Sequence, residues 1–448
     1  MNSFKINLFN KEIINKFAED VPNIYMKYYE NIRNALELIQ NYDYLNSFFE
    51  KKDKKIYKNN EFLKYLDEIK NHNLKVSCII LTKNEEQYIE ECLKSIENCF
   101  DEIVIIDTGS TDNTISKILQ LNISTVNIYS FEWVDDFSSA RNFGISKAKS
   151  DCIFFIDADE CLEKTSYEQL HDILNIFYFF PYKERLVLSP SIIDLQTGQH
   201  HINVHRIFFK NNFLKYYGRV HEEIRSNHGK IINLYLKINI IHKGYMYDRM
   251  INKDKINRNL FLLEKQLCET PDEVRWIYMY VRDGISILDE NQLERILINT
   301  ILINPKGKIN INNLKDNEYI FGLLTCLCMI YLRKNKLSQI ENITNIMEML
   351  IPNNSNSFYF KTMARYILSK NELKKLLVSS MQYRKNNFNA QIGMINDEGY
   401  HIDYLIGIIL FDLYEFDSAE KYFAFLENKF KYSEFDIYIK KYRKMLKK

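Results

Sequence analysis

From Lys75 onward, short apolar runs alternate with segments of helical period, and the runs end in polar clusters. Val76–Leu81, Ile103–Ile106, Val126–Tyr129 and Cys152–Ile156 read as strands. A helix after the first strand, with Asn84 as its N-cap, buries Tyr88, Ile89, Cys92, Leu93 and Ile96 on one face. Ser138–Lys147 reads as another helix. A chain that alternates in this way has few options, because parallel strands need crossover connections and those crossovers lay helices on the sheet. The expectation is a parallel, Rossmann-like sheet with ligands at the carboxyl ends of its strands. Thr82, Asp107 and Asp157 fall at those ends.

The fourth run leads directly into Ile156-Asp157-Ala158-Asp159. Two carboxylates one residue apart emerge where a buried strand leaves the sheet. Their hard oxygens suit Mg²⁺ or Mn²⁺, which complete their shells with water and substrate phosphates. The bland alternative is a surface turn after a strand.

Elsewhere the chain is less specific. Residues 1–70 carry apolar residues at helical spacing in Tyr25–Tyr42 and Asn60–Lys70, with Lys51-Lys52-Asp53-Lys54-Lys55 as a solvated turn between them. They read as a helical lead-in without chemistry of its own. Residues 71–250 form the α/β domain, and its last third, Arg185–Tyr247, shortens into mixed or antiparallel sheet (Leu186–Leu188, Arg206–Phe209, Ile231–Ile241). Residues 251–448 read as helical. There Gly407, Leu410, Ala419, Phe423 and Leu426 sit at the small and large positions of a tetratricopeptide-type helix pair. Trp276–Asn304, closed by Pro305, is a weaker earlier unit.

Composition removes several classes. Lys+Arg 60 against Asp+Glu 59 leaves a net charge of +1, so no bulk field draws nucleic acid or an anionic membrane. The longest apolar stretch, Tyr319–Leu332, is too short to span a bilayer and reads as a buried helix. No secretory h-region follows Met1, and the eight cysteines lack metal spacing, so core thiols in a reducing cytoplasm are expected.

Four segments together resemble the successive motifs of family-2 glycosyltransferases of GT-A fold. They are Val76–Glu85, Asp107–Asp112, Phe137–Asn142 and Asp157–Glu160. A narrower set extends the likeness: Arg206-Ile207-Phe208, Gly218–Glu223, Ile241–Tyr245 and Lys255–Asn259, followed by the tetratricopeptide-like tail. It resembles the peptide glycosyltransferases of the sublancin type, which attach sugar to Cys or Ser of a ribosomally made bacteriocin peptide. The lead-in is longer than that type implies.

The resemblance implies roles. Asp107 would accept the uracil imide proton, with Thr82 and Glu85 bordering the nucleoside; a first-turn carboxylate favoured by the helix dipole is the other reading of Glu85. A carboxylate at the end of a strand has little structural use, which favours function for Asp107. Asp159 would bind the divalent ion directly, Asp157 through water or as a ribose contact, and His242 would complete the shell unless it is structural. Glu222 aligns with the general base of an inverting transfer, with Glu223 as fallback and a charged hairpin as the bland reading. Arg141, Lys255 and Arg258 would neutralise diphosphate, although a solvated basic face also accounts for the last two. Arg206 lies either near the sugar or in a salt bridge.

The expected protein is an α/β GT-A enzyme with a Rossmann-like mixed sheet, flanked by a helical lead-in and an all-α tetratricopeptide-like domain. Its expected activity is metal-dependent transfer of a hexose from a UDP-sugar to a peptide thiol or hydroxyl. The resemblance also implies a homodimer. A cell-surface or lipopolysaccharide-core glycosyltransferase and a non-catalytic tetratricopeptide scaffold are the competing expectations.

Overall fold

A computed structural model describes residues 21–46, 59–164, 166–243, 249–386, 395–396, 398–429 and 434–446. The basic run Lys51–Lys55 and the motif residues Gly244 and Tyr245 lie outside the described residues. The chain divides into two compact units, Met1–Pro271 and Asp272–Lys448.

The first unit is built on a nine-stranded sheet. Its strands are β1 (Val76–Thr82), β2 (Glu102–Asp107), β3 (Val126–Ser130), β4 (Cys152–Phe155), β5 (Glu160–Leu162), β6 (Leu186–Asp194), β7 (His200–His201), β8 (Ile207–Phe209) and β11 (Ile232–His242). They run in the order β3-β2-β1-β4-β8-β6-β11-β5, with β7 beside β6. The first four are parallel, as the strand–helix alternation predicts. β8 then enters antiparallel between β4 and β6, and β11 runs parallel to β6, so the sheet is mixed. A separate antiparallel hairpin pairs β9 (Leu214–Tyr217) with β10 (Glu223–Ser226).

Alternate strand residues enter different cores. Cys78, Ile80, Ile103, Ile105 and Phe154 belong to one buried cluster, while Ile79, Val104, Ile106, Ile153 and Phe155 belong to another. A sheet covered on both faces explains why its strands read as continuous apolar runs rather than alternating ones. Helix α6 (Phe137–Lys147) lies so close to the sheet that a Cβ on Gly144 would come 2.8 Å from Ile79. Its N-cap is Asp136, whose Oδ1 accepts from the Ser139 amide at 3.0 Å.

One reading of the sequence changes here. Asn84 does not cap a helix: α4 (Ile89–Ile96) begins five residues later, and Asn84 has a φ of 57°. Its Oδ1 instead accepts from the Thr111 amide at 2.7 Å, joining the loop after β1 to the loop after β2. The lead-in also does more than precede the domain. Helix α1 (Asn23–Glu37) buries Tyr29, Ile32 and Leu36 in the first cluster, followed by α2 (Tyr42–Asn46) and α3 (Asn59–Asn71). Between α1 and α2 the backbone bonds to β11, with the Gln40 amide on Tyr235 O and the Lys237 amide on Leu38 O, both at 2.8 Å. This occurs where β11 breaks register with β6, between Tyr235 and Asn239. The lead-in therefore takes up backbone groups that the bulge releases. Helices α5 (Thr114–Gln120) and α7 (Ser166–Phe177) are crossover and cover, and α8 (Arg249–Glu269) closes the unit.

The second unit is helical: α9 (Val274–Gly284), α10 (Glu290–Ile301), α11 (Ile320–Arg333), α12 (Leu337–Leu350), α13 (Ser355–Asn386), α14 (Tyr400–Asp412), α15 (Phe416–Lys429) and α16 (Glu434–Leu446). The apolar stretch around Tyr319–Leu332 is the buried helix α11. Among the described residues, no helix is long and apolar enough to cross a membrane. In the last pair, a Cβ on Gly407 would lie 3.0 Å from the Phe423 ring, so small opposite large sets the approach of α14 to α15.

Candidate active site

Parallel register brings the expected strand-end residues side by side. Thr82 pairs in register with Asp107, and β4 ends beside β1. The Thr82 hydroxyl is buried and has no hydrogen-bond partner among the described residues. Asp107 is half-buried, and its Oδ1 accepts from the Ser110 amide at 3.0 Å. A carboxylate at the end of this strand thus does have a structural use, contrary to the sequence argument: it closes the turn that follows.

Glu85 lies before α4, outside its first turn, which holds Glu90 and Glu91. The helix-dipole reading therefore loses its footing. Burial pushes the Glu85 carboxyl up to about 7, and Asp159, Asp157 and Asp112 add to the shift against His242.

The densest chemistry is a chain of alternating charges. Arg206 donates to both oxygens of Asp157, at 3.0 and 2.6 Å, and to Glu160 Oε1 at 2.8 Å. Arg141 donates from Nη2 to Asp157 Oδ1 at 3.3 Å and from Nε to Glu222 Oε1 at 2.5 Å. Glu160, Arg206, Asp157, Arg141 and Glu222 are thereby linked across four separate segments. Burial opposes ionisation of Asp157, but Arg206 and then Arg141 overcome it and hold the carboxyl well below the usual range. Burial pushes Glu160 the other way, up to about 7, despite Arg206. Arg206 is thus the salt-bridge residue of the two alternatives.

Glu160 was not singled out by the sequence, although it stands in the quoted motif. Its Oε2 accepts from the Asp157 amide at 2.8 Å, and the Glu160 amide donates to Asp157 O at 3.0 Å. Glu160 closes the turn that presents the two aspartates. A carboxylate three residues after a strand-end Asp is a local signal for such a turn, but its partner Arg206 is 46 residues away.

Asp159 faces His242, with Oδ2 at 3.2 Å from Nε2. His242 ends β11, in register with Glu160 on β5 and with Asp194 on β6, and its Nδ1 lies 4.0 Å from Asp194 Oδ2. Burial pulls the imidazole pKa down, but the bond to Asp159 and the charges of Asp159, Glu160 and Asp157 outweigh it, so His242 is raised. Asp159 and His242 form a carboxylate–imidazole pair that fits a divalent cation, whereas both Asp157 oxygens are occupied by guanidinium. Among the described residues, no group of three His, Cys, Asp or Glu side chains is arranged to hold an ion by itself. The pair fits an ion whose remaining ligands are water and substrate oxygens.

Glu222 and Glu223 separate clearly. Glu222 precedes β10 and joins the ion chain, while Glu223 opens β10, opposite Tyr217, and pairs with Arg225 at 2.8 Å. The loop before β10 carries Gly218 at a φ of 102° and His221 at 53°. It is held from α8, where Gln266 Oε1 accepts from the Arg219 amide at 3.0 Å and Glu269 pairs with Arg219. The Arg258 guanidinium stacks 5.3 Å from the Phe137 ring; burial lowers its pKa, against the charge of Glu222. Lys255 is exposed on the same helix. Asn142, quoted in a motif without a role, bonds both ways to the Tyr216 backbone, at 2.8 and 3.0 Å, and so ties α6 to β9.

Paired carboxylates and guanidinium groups thus gather around the strand ends of a mixed sheet. The sequence profile described as "Glycosyl transferase family 2" matches residues 77–175. Over 302 residues the chain is 30% identical to the SPbeta prophage-derived glycosyltransferase SunS of Bacillus subtilis, covering 67% of this chain and 69% of that one. A TPR repeat-containing protein of Synechococcus elongatus is 25% identical over 228 residues, 49% of this chain and 54% of that one. A loose structural likeness, at a TM-score of 0.31 and 16% identity, covers 65% of this chain and 92% of Staphylococcus aureus TarS 1–349 in complex with UDP-GlcNAc. The chain belongs to the family-2 glycosyltransferases, with a SunS-like sequence over two-thirds of its length.

Proposed function

We propose that this glycosyltransferase moves a hexose, glucose as the first candidate, from a UDP-sugar to a Cys or Ser side chain of a ribosomally made peptide, with inversion. The observation that carries the reading is the strand-end cluster, in which Asp159 and His242 lie 3.2 Å apart while Glu222 is joined through Arg141 to Asp157, two residues before Asp159. Asp107 accepts the uracil imide proton, with Thr82 and Glu85 bordering the nucleoside, and the buried Thr82 hydroxyl offers an unused bond there. Asp159 and His242 would hold Mg²⁺ or Mn²⁺, with Asp157 contributing through water or as a ribose contact. When bound, the ion supplies positive charge to the departing diphosphate. Lys255 and Arg258 on α8 serve the same diphosphate from the protein side.

Glu222 takes the acceptor proton as sulfur or oxygen bonds to the anomeric carbon. The bond from that carbon to the diphosphate oxygen breaks, and its electron pair leaves with UDP. A peptide acceptor is supported by the likeness to SunS and by the helical second unit, since stacked helix pairs of tetratricopeptide type hold extended segments. The eight free thiols suit a reducing cytoplasm.

The test is intact-mass analysis of candidate precursor peptides after incubation with UDP-glucose and Mn²⁺. A gain of one or more hexoses on Cys or Ser is expected. Transfer to lipid-linked or core saccharide acceptors, with peptides untouched, would replace this reading with the cell-surface one.

A further inference from the structure

Arg141 is placed unlike a diphosphate ligand. Its guanidinium packs against two touching rings, 5.2 Å from the Phe155 centroid and 5.3 Å from that of Tyr216, which are themselves 5.1 Å apart. Its residue surface is 9% exposed. Nε donates to Glu222 Oε1 at 2.5 Å, and Nη2 makes the longer 3.3 Å bond to Asp157. The rings are themselves fixed: Phe155 is in β4, and the Tyr216 hydroxyl donates to His205 O at 3.0 Å while its backbone is held by Asn142. Nε and Nη2 of the Arg141 head are thereby committed, while Nη1 is buried and has no hydrogen-bond partner among the described residues. Glu222, in contrast, stands in a loop with two positive φ values, where the carboxylate needs a partner to have a defined direction.

From this arrangement we infer that Arg141 is the positioning residue of Glu222. It aims the carboxylate at the acceptor proton and ties that aim to Asp157, so that the proton-accepting group and the donor-side aspartate keep a fixed separation. Arg141 acts on the reaction through Glu222 rather than by contacting the diphosphate. The inference rests on the proposed base role of Glu222. Misplacing a reacting group by about an ångström costs on the order of 10²-fold in rate, a size that kinetics can read.

The experiment is a double-mutant cycle on the full chain, with UDP-glucose, Mn²⁺ and water as acceptor, following UDP release, and with UDP affinity measured by calorimetry. Wild type, Arg141→Lys, Glu222→Gln and the double variant are compared. Arg141→Lys keeps the charge but loses the fork geometry. It is expected to lower kcat about 10²-fold while KM for donor and Kd for UDP stay within about threefold. In the Glu222→Gln background the same change is expected to cost less than about threefold, because the group it positions is already disabled. Glu222→Asp, which keeps a carboxylate but shortens its reach, should reproduce the kcat loss and covers the case in which Arg141→Lys fails to fold.

Full additivity in the double variant, or a loss carried by KM and UDP affinity, would overturn the inference in favour of direct diphosphate contact. So would an unchanged kcat for Glu222→Asp. If wild type turns over the donor and Glu222→Gln is fully active, the base assignment fails and this inference falls with it. Wild-type protein that turns over no UDP-sugar removes both, and is told apart by its failure before any variant is made.

Discussion

The two compact units treat charge in opposite ways. In the first, five ionisable side chains, Glu160, Arg206, Asp157, Arg141 and Glu222, are joined in one chain, most of them buried and each held by a partner. In the second, the cores are apolar: Leu323, Leu327, Ile340, Ile343 and Met347 fill one cluster, and Ile406, Phe423 and Leu426 another. Some of its ion pairs, such as Arg365–Glu341 and Lys375–Glu372, lie on the surface, where such pairs contribute about 0–1 kcal/mol, while Arg384–Asp403 and the Glu294 pairs are partly buried but isolated from one another. Buried charge is costly for stability and useful for chemistry, because a low-dielectric site makes each oriented charge act strongly on a reacting group. The contrast separates a unit built for reaction from one built for shape.

This division can be tested by substitution. The largest effect expected is on turnover: Asp159→Ala should abolish metal-dependent release of UDP, and Glu222→Gln should lower it by about 10²–10⁴-fold while leaving nucleotide binding intact. Steady-state UDP-release assays on folded variants check both, and a Glu222→Gln protein at wild-type rate would break the assignment.

Arg206→Met comes next, and its effect falls on the fold. It leaves Glu160 and Asp157 without their shared counter-ion, at a cost of about 3–5 kcal/mol of stability. Urea unfolding should show that loss, and Arg206→Met combined with Glu160→Gln should recover part of it. A neutral outcome would mean that the ion chain is not a structural unit.

Phe423→Ala probes the other side of the comparison. It empties a fully buried position between α14 and α15 and should destabilise the second unit by about 3–5 kcal/mol. Acceptor-independent UDP release should remain near wild type below the unfolding transition. Loss of donor hydrolysis in well-folded Phe423→Ala would blur the division between the units.

The smallest effect concerns Glu294, which pairs with Lys334 and Lys336. Burial raises its pKa, but the two lysines outweigh it and the net shift is downward. A depressed folded pKa contributes stability above the unfolded carboxylate value of about 4.3, and that contribution disappears as pH falls through the folded value. Glu294→Gln should therefore cost less than about 1 kcal/mol at pH 7, and the difference from wild type should shrink toward acid. Unfolding curves at pH 7 and pH 4 show whether it does.

The placement of the candidate residues was legible because its signals are local. Asp107, Asp157 and Asp159 follow apolar runs directly, and Glu222 follows a glycine loop, so strand ends and motif order sufficed to single them out as candidates. What escaped depends on distant partners. Nothing near Arg206 tells whether it meets sugar or carboxylate, since Glu160 is 46 positions away. Asn84 looked like a helix cap because Asn is a good one, but its acceptor is used 27 residues later at Thr111. The lead-in's structural role was not legible, because the backbone groups it satisfies are exposed only by a bulge in β11, which periodicity does not display.

The measurement that bears most directly on the account is UDP binding to the full chain by calorimetry, with and without Mn²⁺, in wild type and Asp159→Ala. Wild type should bind UDP more tightly with Mn²⁺ present, and Asp159→Ala should lose that increment while retaining the metal-independent affinity and the wild-type unfolding midpoint. An equal Mn²⁺ increment in both proteins would contradict the assignment of the strand-end cluster as the donor site.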